Sequence, residues 1–162
     1  MLANTRFCDQ AGGDPVSLET RHLCNGLIRR SIELRALYRH AAAQVSEPGL
    51  RTVLDEEAQS LDAVIAELQT QMRNHDRTPA TRSRMIEAAR HRFDVWLVRG
   101  MPRSDDAWIR LLARHEQGLL RAFERVLTRV SAGDMTTTLH RQLPRLQSIH
   151  LDMHSLAKAV GQ

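Results

Sequence analysis

Two glutamates and a histidine interrupt apolar helical seams in this chain, and their types are those of a metal or acid–base centre. Glu57 stands in the series Leu50, Leu54, Glu57, Leu61, Val64, Leu68, Met72. Glu116 stands in Ile109, Leu112, Glu116, Leu119, Phe123, Val126, Val130. His150 stands in Leu139, Leu143, Leu146, His150, Met153, Ala157, Val160. A further series, Thr20, Cys24, Leu27, Ser31, Leu34, Tyr38, Ala41, Val45, carries a phenol instead. Steps of three and four residues line one face of a helix, so these polar groups point where four helices would pack. A lone buried charge is costly and needs a partner or a cation. Two carboxylates with one imidazole suit a single Fe, Mn or Zn ion. Without metal, the same residues form a hydrogen-bonded core cluster with Tyr38 as donor. His154 lies four residues beyond His150 and could join it as a second imidazole ligand.

The elements that hold these groups follow from local signals. Residues 1–16 lack periodicity and read as a flexible tail, leaving residues 17–162 as a single domain. Ser17 and Glu19 suit the start of a helix over about 18–45. Ser46-Glu47-Pro48-Gly49 ends it, and a second helix follows over about 49–74. The short turn makes the two an antiparallel hairpin. A shorter amphipathic helix over about 81–99 carries Phe93 and Trp96, and Gly100-Met101-Pro102 ends it. Ser104 caps a third long helix running to about 131, with Asp105 and Asp106 favourable to its dipole. Gly133 is expected as a left-handed stop before a fourth helix over about 136–160, in which Pro144 is a potential kink.

Heights along the helices bring the polar groups together under one topology. Glu116 and His150 are equidistant in sequence from Gly133, which places both about 25 Å from that turn at 1.5 Å per residue. Glu57 and Tyr38 lie about 15 Å from the first turn. In a simple up-down-up-down chain the two layers miss each other. A long crossover through residues 75–104 reverses one hairpin and merges them. The expected fold is therefore an all-α, antiparallel four-helix bundle with a long crossover containing an extra short helix.

Three stretches carry a resemblance. They are Ala36-Leu37-Tyr38-Arg39-His40-Ala41-Ala42 before a Pro-containing turn, Ile65-Ala66-Glu67-Leu68-Gln69 late in the second helix, and His115-Glu116-Gln117 with Leu120-Arg121-Ala122-Phe123-Glu124 in the third. Over residues 17–160 the chain resembles the ferritin-like superfamily, whose bundles bind two metals through core carboxylates and histidines. More narrowly, it resembles uncharacterised bacterial bundles of unknown function related to the Yci-type stress proteins. This resemblance implies a ferritin-like bundle and a role in stress. The sequence departs from the metal pattern at Ser31, where a ferritin has its first ligand. Ser60 follows Glu57 at the place of a Glu-x-x-His histidine, and Leu151 precedes His154 at the place of its glutamate. The expectation is a non-enzymatic, stress-associated bundle with a degenerate metal centre and no cofactor. The alternative is an Fe- or Mn-binding protein or oxidoreductase using Glu57, Glu116, His150 and His154, with Tyr38 behind them.

Composition narrows the other classes. The 162 residues are 42% hydrophobic but only 4% aromatic, which suits an aliphatic helical core. No apolar run spans a membrane and no signal segment opens the chain, so the expected location is the cytoplasm of a bacterium-like cell. The net charge is +4, and among the 23 basic residues only Lys158 is a lysine. Arg82, Arg84, Arg90 and Arg92 have no accompanying RNA or helix-turn-helix motif, so nucleic acid is not the expected partner. Neither a phosphate loop nor a nucleophile elbow occurs, and no small-molecule substrate is identifiable. Cys8 and Cys24 match neither a metal spacing nor a disulfide context. Phe93, Trp96 and Trp108 are expected to exceed what four helices cover, which points to a homodimer.

Overall fold

The computed structural model describes residues 18–75, 102–131 and 133–160. These form four helices: α1 (Leu18–Gln44), α2 (Pro48–His75), α3 (Asp105–Leu127) and α4 (Asp134–Ala159). No strand occurs among the described residues. The tail, the short helix over 81–99, Cys8, Phe93 and Trp96 lie outside them.

Each boundary has a local cause. Pro48 opens α2, where its missing N–H and fixed φ do no harm. Glu47 folds its carboxylate over that end and accepts from the backbone N–H groups of Gly49 and Leu50. A Cβ at position 49 would sit 3.0 Å from Glu47 Oε1, so glycine leaves room for the cap. Arg51 reaches back to the end of α1, donating to the carbonyls of Ala42 (3.1 Å) and Val45 (3.0 Å). Ser104 caps α3 as expected, its hydroxyl accepting from Ala107 N–H at 3.2 Å. The carboxylate of Asp105 points away from its own helix. It accepts from the N–H of Ser46 at 3.0 and 3.2 Å and of Glu47 at 3.0 Å. The start of α3 is thereby tied to the α1–α2 turn.

Helix α1 packs against α2 and α3, and α4 packs against the same two. The first three seams enter the core almost as spaced. From Cys24 to Val45, Leu50 to Met72 and Ile109 to Val126 every seam residue is buried, while Thr20 and Val130 are half-buried at the margins. Tyr38 and Phe123 are the bulkiest fully buried side chains. Arg35 and Arg39 of α1 grip Asp62 of α2 at 2.6 and 2.5 Å, and Arg141 of α4 pairs with Glu67 of α2. Such exposed pairs stabilise little, on the order of 0–1 kcal/mol.

Four expectations are corrected. Gly133 is the N-cap of α4 with φ 162°, extended backbone open to any residue, and not a left-handed stop. Helix α3 ends at Leu127, four residues earlier than its pattern suggested. Trp108 is only 2% exposed and packs beside the His40 ring, so it belongs to the core and not to a surface patch. The phase of α4 is shifted: its inward face is Met135, Thr138, Leu139, Gln142, Leu146, Ile149 and Met153. Each helical residue turns about 100°, so seating Ile149 inward rotates His150 to the edge. Pro144 lies inside α4, which continues through it on its exposed side.

Candidate functional site

The polar layer is built from three helices. Glu116 of α3 is 3% exposed and its carboxyl is sealed in the core, while the carboxyl of Glu57 of α2, a residue 8% exposed, lies at the margin of the core. The Glu116 carboxyl is pushed up to about 9, mainly by burial and then by the charge of Asp152 on α4. Burial likewise pushes Glu57 up to about 7, with Asp152 and Glu56 adding to it. The charge of Asp152 acts on both glutamates. At neutral pH Glu116 is therefore a neutral carboxylic acid and Glu57 is close to half-ionised.

Neither oxygen of Glu116 has a hydrogen-bond partner, and the same holds for Tyr38 Oη and His150 Nδ1. The expected hydrogen-bonded cluster of Tyr38, Glu116 and His150 is thus not formed. The reason is the phase of α4, which turns His150 to the side of the seam, half-buried. His154 is exposed, and its ring centroid lies 5.7 Å from that of His150, so the four-residue spacing does bring the two imidazoles together. His115, beside Glu116, is half-buried, and burial followed by the charge of Arg114 lowers its pKa. Ser31 is fully buried and donates to the Leu27 carbonyl at 2.9 Å, a bond inside its own helix. Asp55 and Glu56 are exposed, as expected of a solvated acidic run.

Sequence reasoning missed Asp152. Its signal was the step of three from Ile149, visible only once Ile149 is recognised as the inward residue of α4. Cys24 is sealed in the core as a free thiol, and burial pushes it up to about 11, so it is no nucleophile. Among the described residues, no three His, Cys, Asp or Glu side chains gather into a group that could hold a metal. No helix among them is long and apolar enough to cross a membrane. Chemically, these groups can keep a proton on the buried Glu116 carboxyl and exchange one at Glu57 near neutral pH.

Fold and site together define an all-α helical protein with a pair of acid groups in its core. The chain belongs to the family described as Domain of unknown function (DUF2383), whose model matches residues 19–129. Those residues hold Ser31, Tyr38, Glu57 and Glu116 and end before α4, so Asp152, His150 and His154 lie outside the matched span. None of the curated proteins matches the chain.

Proposed function

We propose that this protein is a cytoplasmic, ferritin-like antiparallel bundle that catalyses no reaction and serves a structural or protein-interaction role, associated with stress, around a degenerate metal centre. The observation that carries this reading is Ser31. It stands where a ferritin has its first ligand, and its hydroxyl is sealed in the core and spent on the Leu27 carbonyl. The Asp105 contacts with the α1–α2 turn support the long crossover. Helix α2 leaves that turn for 28 residues, about 42 Å, and the chain is back beside it by residue 105.

A second reading rests on the two unpartnered Glu116 oxygens facing the field of Asp152, a donor set that a cation would satisfy. In it, Glu57, Glu116, His150 and His154 would hold Fe or Mn with Tyr38 behind them, and the metal would supply redox chemistry. Elemental analysis of protein purified without chelator separates the two. The expected result is metal far below one equivalent per chain. About two equivalents of iron or manganese, the content of a complete ferritin-like centre, would overturn the first reading. One equivalent that disappears in the double variant Glu116→Leu with His150→Leu would establish the second.

We also propose an isologous homodimer, as most homo-oligomers are. The sequence supports it through Phe93 and Trp96, and α4 adds Leu151, a large apolar side chain left 62% exposed. Sedimentation velocity at high concentration should show a dimer, and a strictly monomeric boundary would count against the proposal.

A further inference from the structure

A second polar feature lies between α1 and α3. A groove of about 180 Å³ is lined by Arg29 and Arg30 of α1, by Arg125 and Arg129 at the end of α3, and by His22 and Gly26. Arg125 is nine residues along α3 from Glu116, about 13 Å away, so the groove is separate from the carboxyl layer. Among the described residues, no acidic side chain lines it. The ion pairs of Arg35, Arg39 and Arg141 lie elsewhere on the bundle. Arg29 Nε is buried and lacks a hydrogen-bond partner. Arginines at a helix C-terminus can simply complement its dipole, which would account for Arg125 and Arg129. Arg29 and Arg30 belong to the N-terminal half of α1 and have no such explanation. Four guanidinium groups around one hollow repel one another unless an anion lies among them.

We propose that this groove binds a small phosphate oxyanion of pyrophosphate size. Guanidinium forks match phosphate oxygens two at a time, which ammonium groups do not, and arginine is the cation at all four wall positions. Sites for drug-sized ligands run to about 300–1,000 Å³. A hollow of about 180 Å³ matches the size of a compact anion. Leu23, Leu27 and Val126 add apolar lining, and low-dielectric surroundings strengthen charge contacts.

The test is calorimetric titration of the full chain with sodium pyrophosphate at low salt. Two variants attack the groove. A Cβ at position 26 meets nothing within 4 Å, so Gly26→Leu should fill the hollow without disturbing the helix. Arg29→Gln with Arg125→Gln removes one guanidinium from each wall. Arg103→Gln with Arg110→Gln makes the same charge change on exposed residues elsewhere. One equivalent should bind to the wild type, weakened by added chloride. Both groove variants should weaken it by about tenfold or more, while the control pair leaves it unchanged. Absent binding, or equal losses in the groove and control pairs, would overturn the proposal. So would binding of a short single-stranded oligonucleotide by a protein that ignores pyrophosphate, an outcome that would point to nucleic acid.

Discussion

Glu116→Leu should stabilise the protein, and increasingly so as the pH rises. Glu116 and Glu57 both have folded-state values above the ordinary carboxylate range, at about 9 and about 7. The native state then holds protons that the unfolded chain releases. Stability from these groups is complete below about pH 4.5 and falls as pH rises past the unfolded value. It stops falling when the folded groups ionise, near pH 7 for Glu57 and near pH 9 for Glu116. Within its window each group lowers stability by about 1.4 kcal/mol per pH unit. Leucine removes the Glu116 share and fills the space with apolar atoms. At pH 8, about 3.5 units above the unfolded value, the gain should be on the order of 5 kcal/mol, and at pH 4.5 only the smaller benefit of removing an unpartnered polar group should remain. Glu116→Gln should flatten the pH dependence equally but gain less, because an amide there still lacks partners. Thermal melts from pH 4.5 to 9 measure all three chains. A wild-type curve flat over that range, or a leucine variant less stable at pH 8, would contradict the account, and the second outcome is what a structural metal on Glu116 would produce.

Asp105→Ala should cost about 1–3 kcal/mol, a large effect for a substitution at the surface. One carboxylate satisfies the backbone N–H groups of Ser46 and Glu47, 59 and 58 residues away in the chain. It also lies in the first turn of α3, where negative charge is favoured. Water replaces part of the lost bonding because the contact is exposed, which keeps the cost below that of a buried pair. Asp106 shares the first turn but makes none of these bonds, so Asp106→Ala should stay within about 0.5 kcal/mol. Asp105→Asn retains one acceptor oxygen and should recover part of the loss. The urea midpoint at constant m-value reads each change. Equal losses at positions 105 and 106 would reduce the role of Asp105 to the helix dipole and remove its tie to the first turn.

The described helices were legible in the sequence because their signals are local. Apolar steps of three and four marked the buried faces of α1, α2 and α3. Ser104 announced the start of α3, and Ser46-Glu47-Pro48-Gly49 the break between α1 and α2. The same periodicity placed Glu57, Glu116, Tyr38 and Ser31 in the core, since each sits between leucines or similar residues one turn away on either side.

What the spacing left open is set by neighbours distant in the chain. On α4 two adjacent apolar tracks exist, through Ile149 or through His150, and a sequence period does not choose between them. Packing against α2 and α3 chose Ile149, which moved His150 to the margin and brought Asp152 within reach of both glutamates. The tie of Asp105 to the first turn, the burial of Trp108 and the arginine groove between α1 and α3 are of the same kind. Helical residue types and faces follow from a window of a few residues. Which polar group meets which, and whether it finds a partner, depends on helix rotation and pairing, and only the tertiary structure decides those.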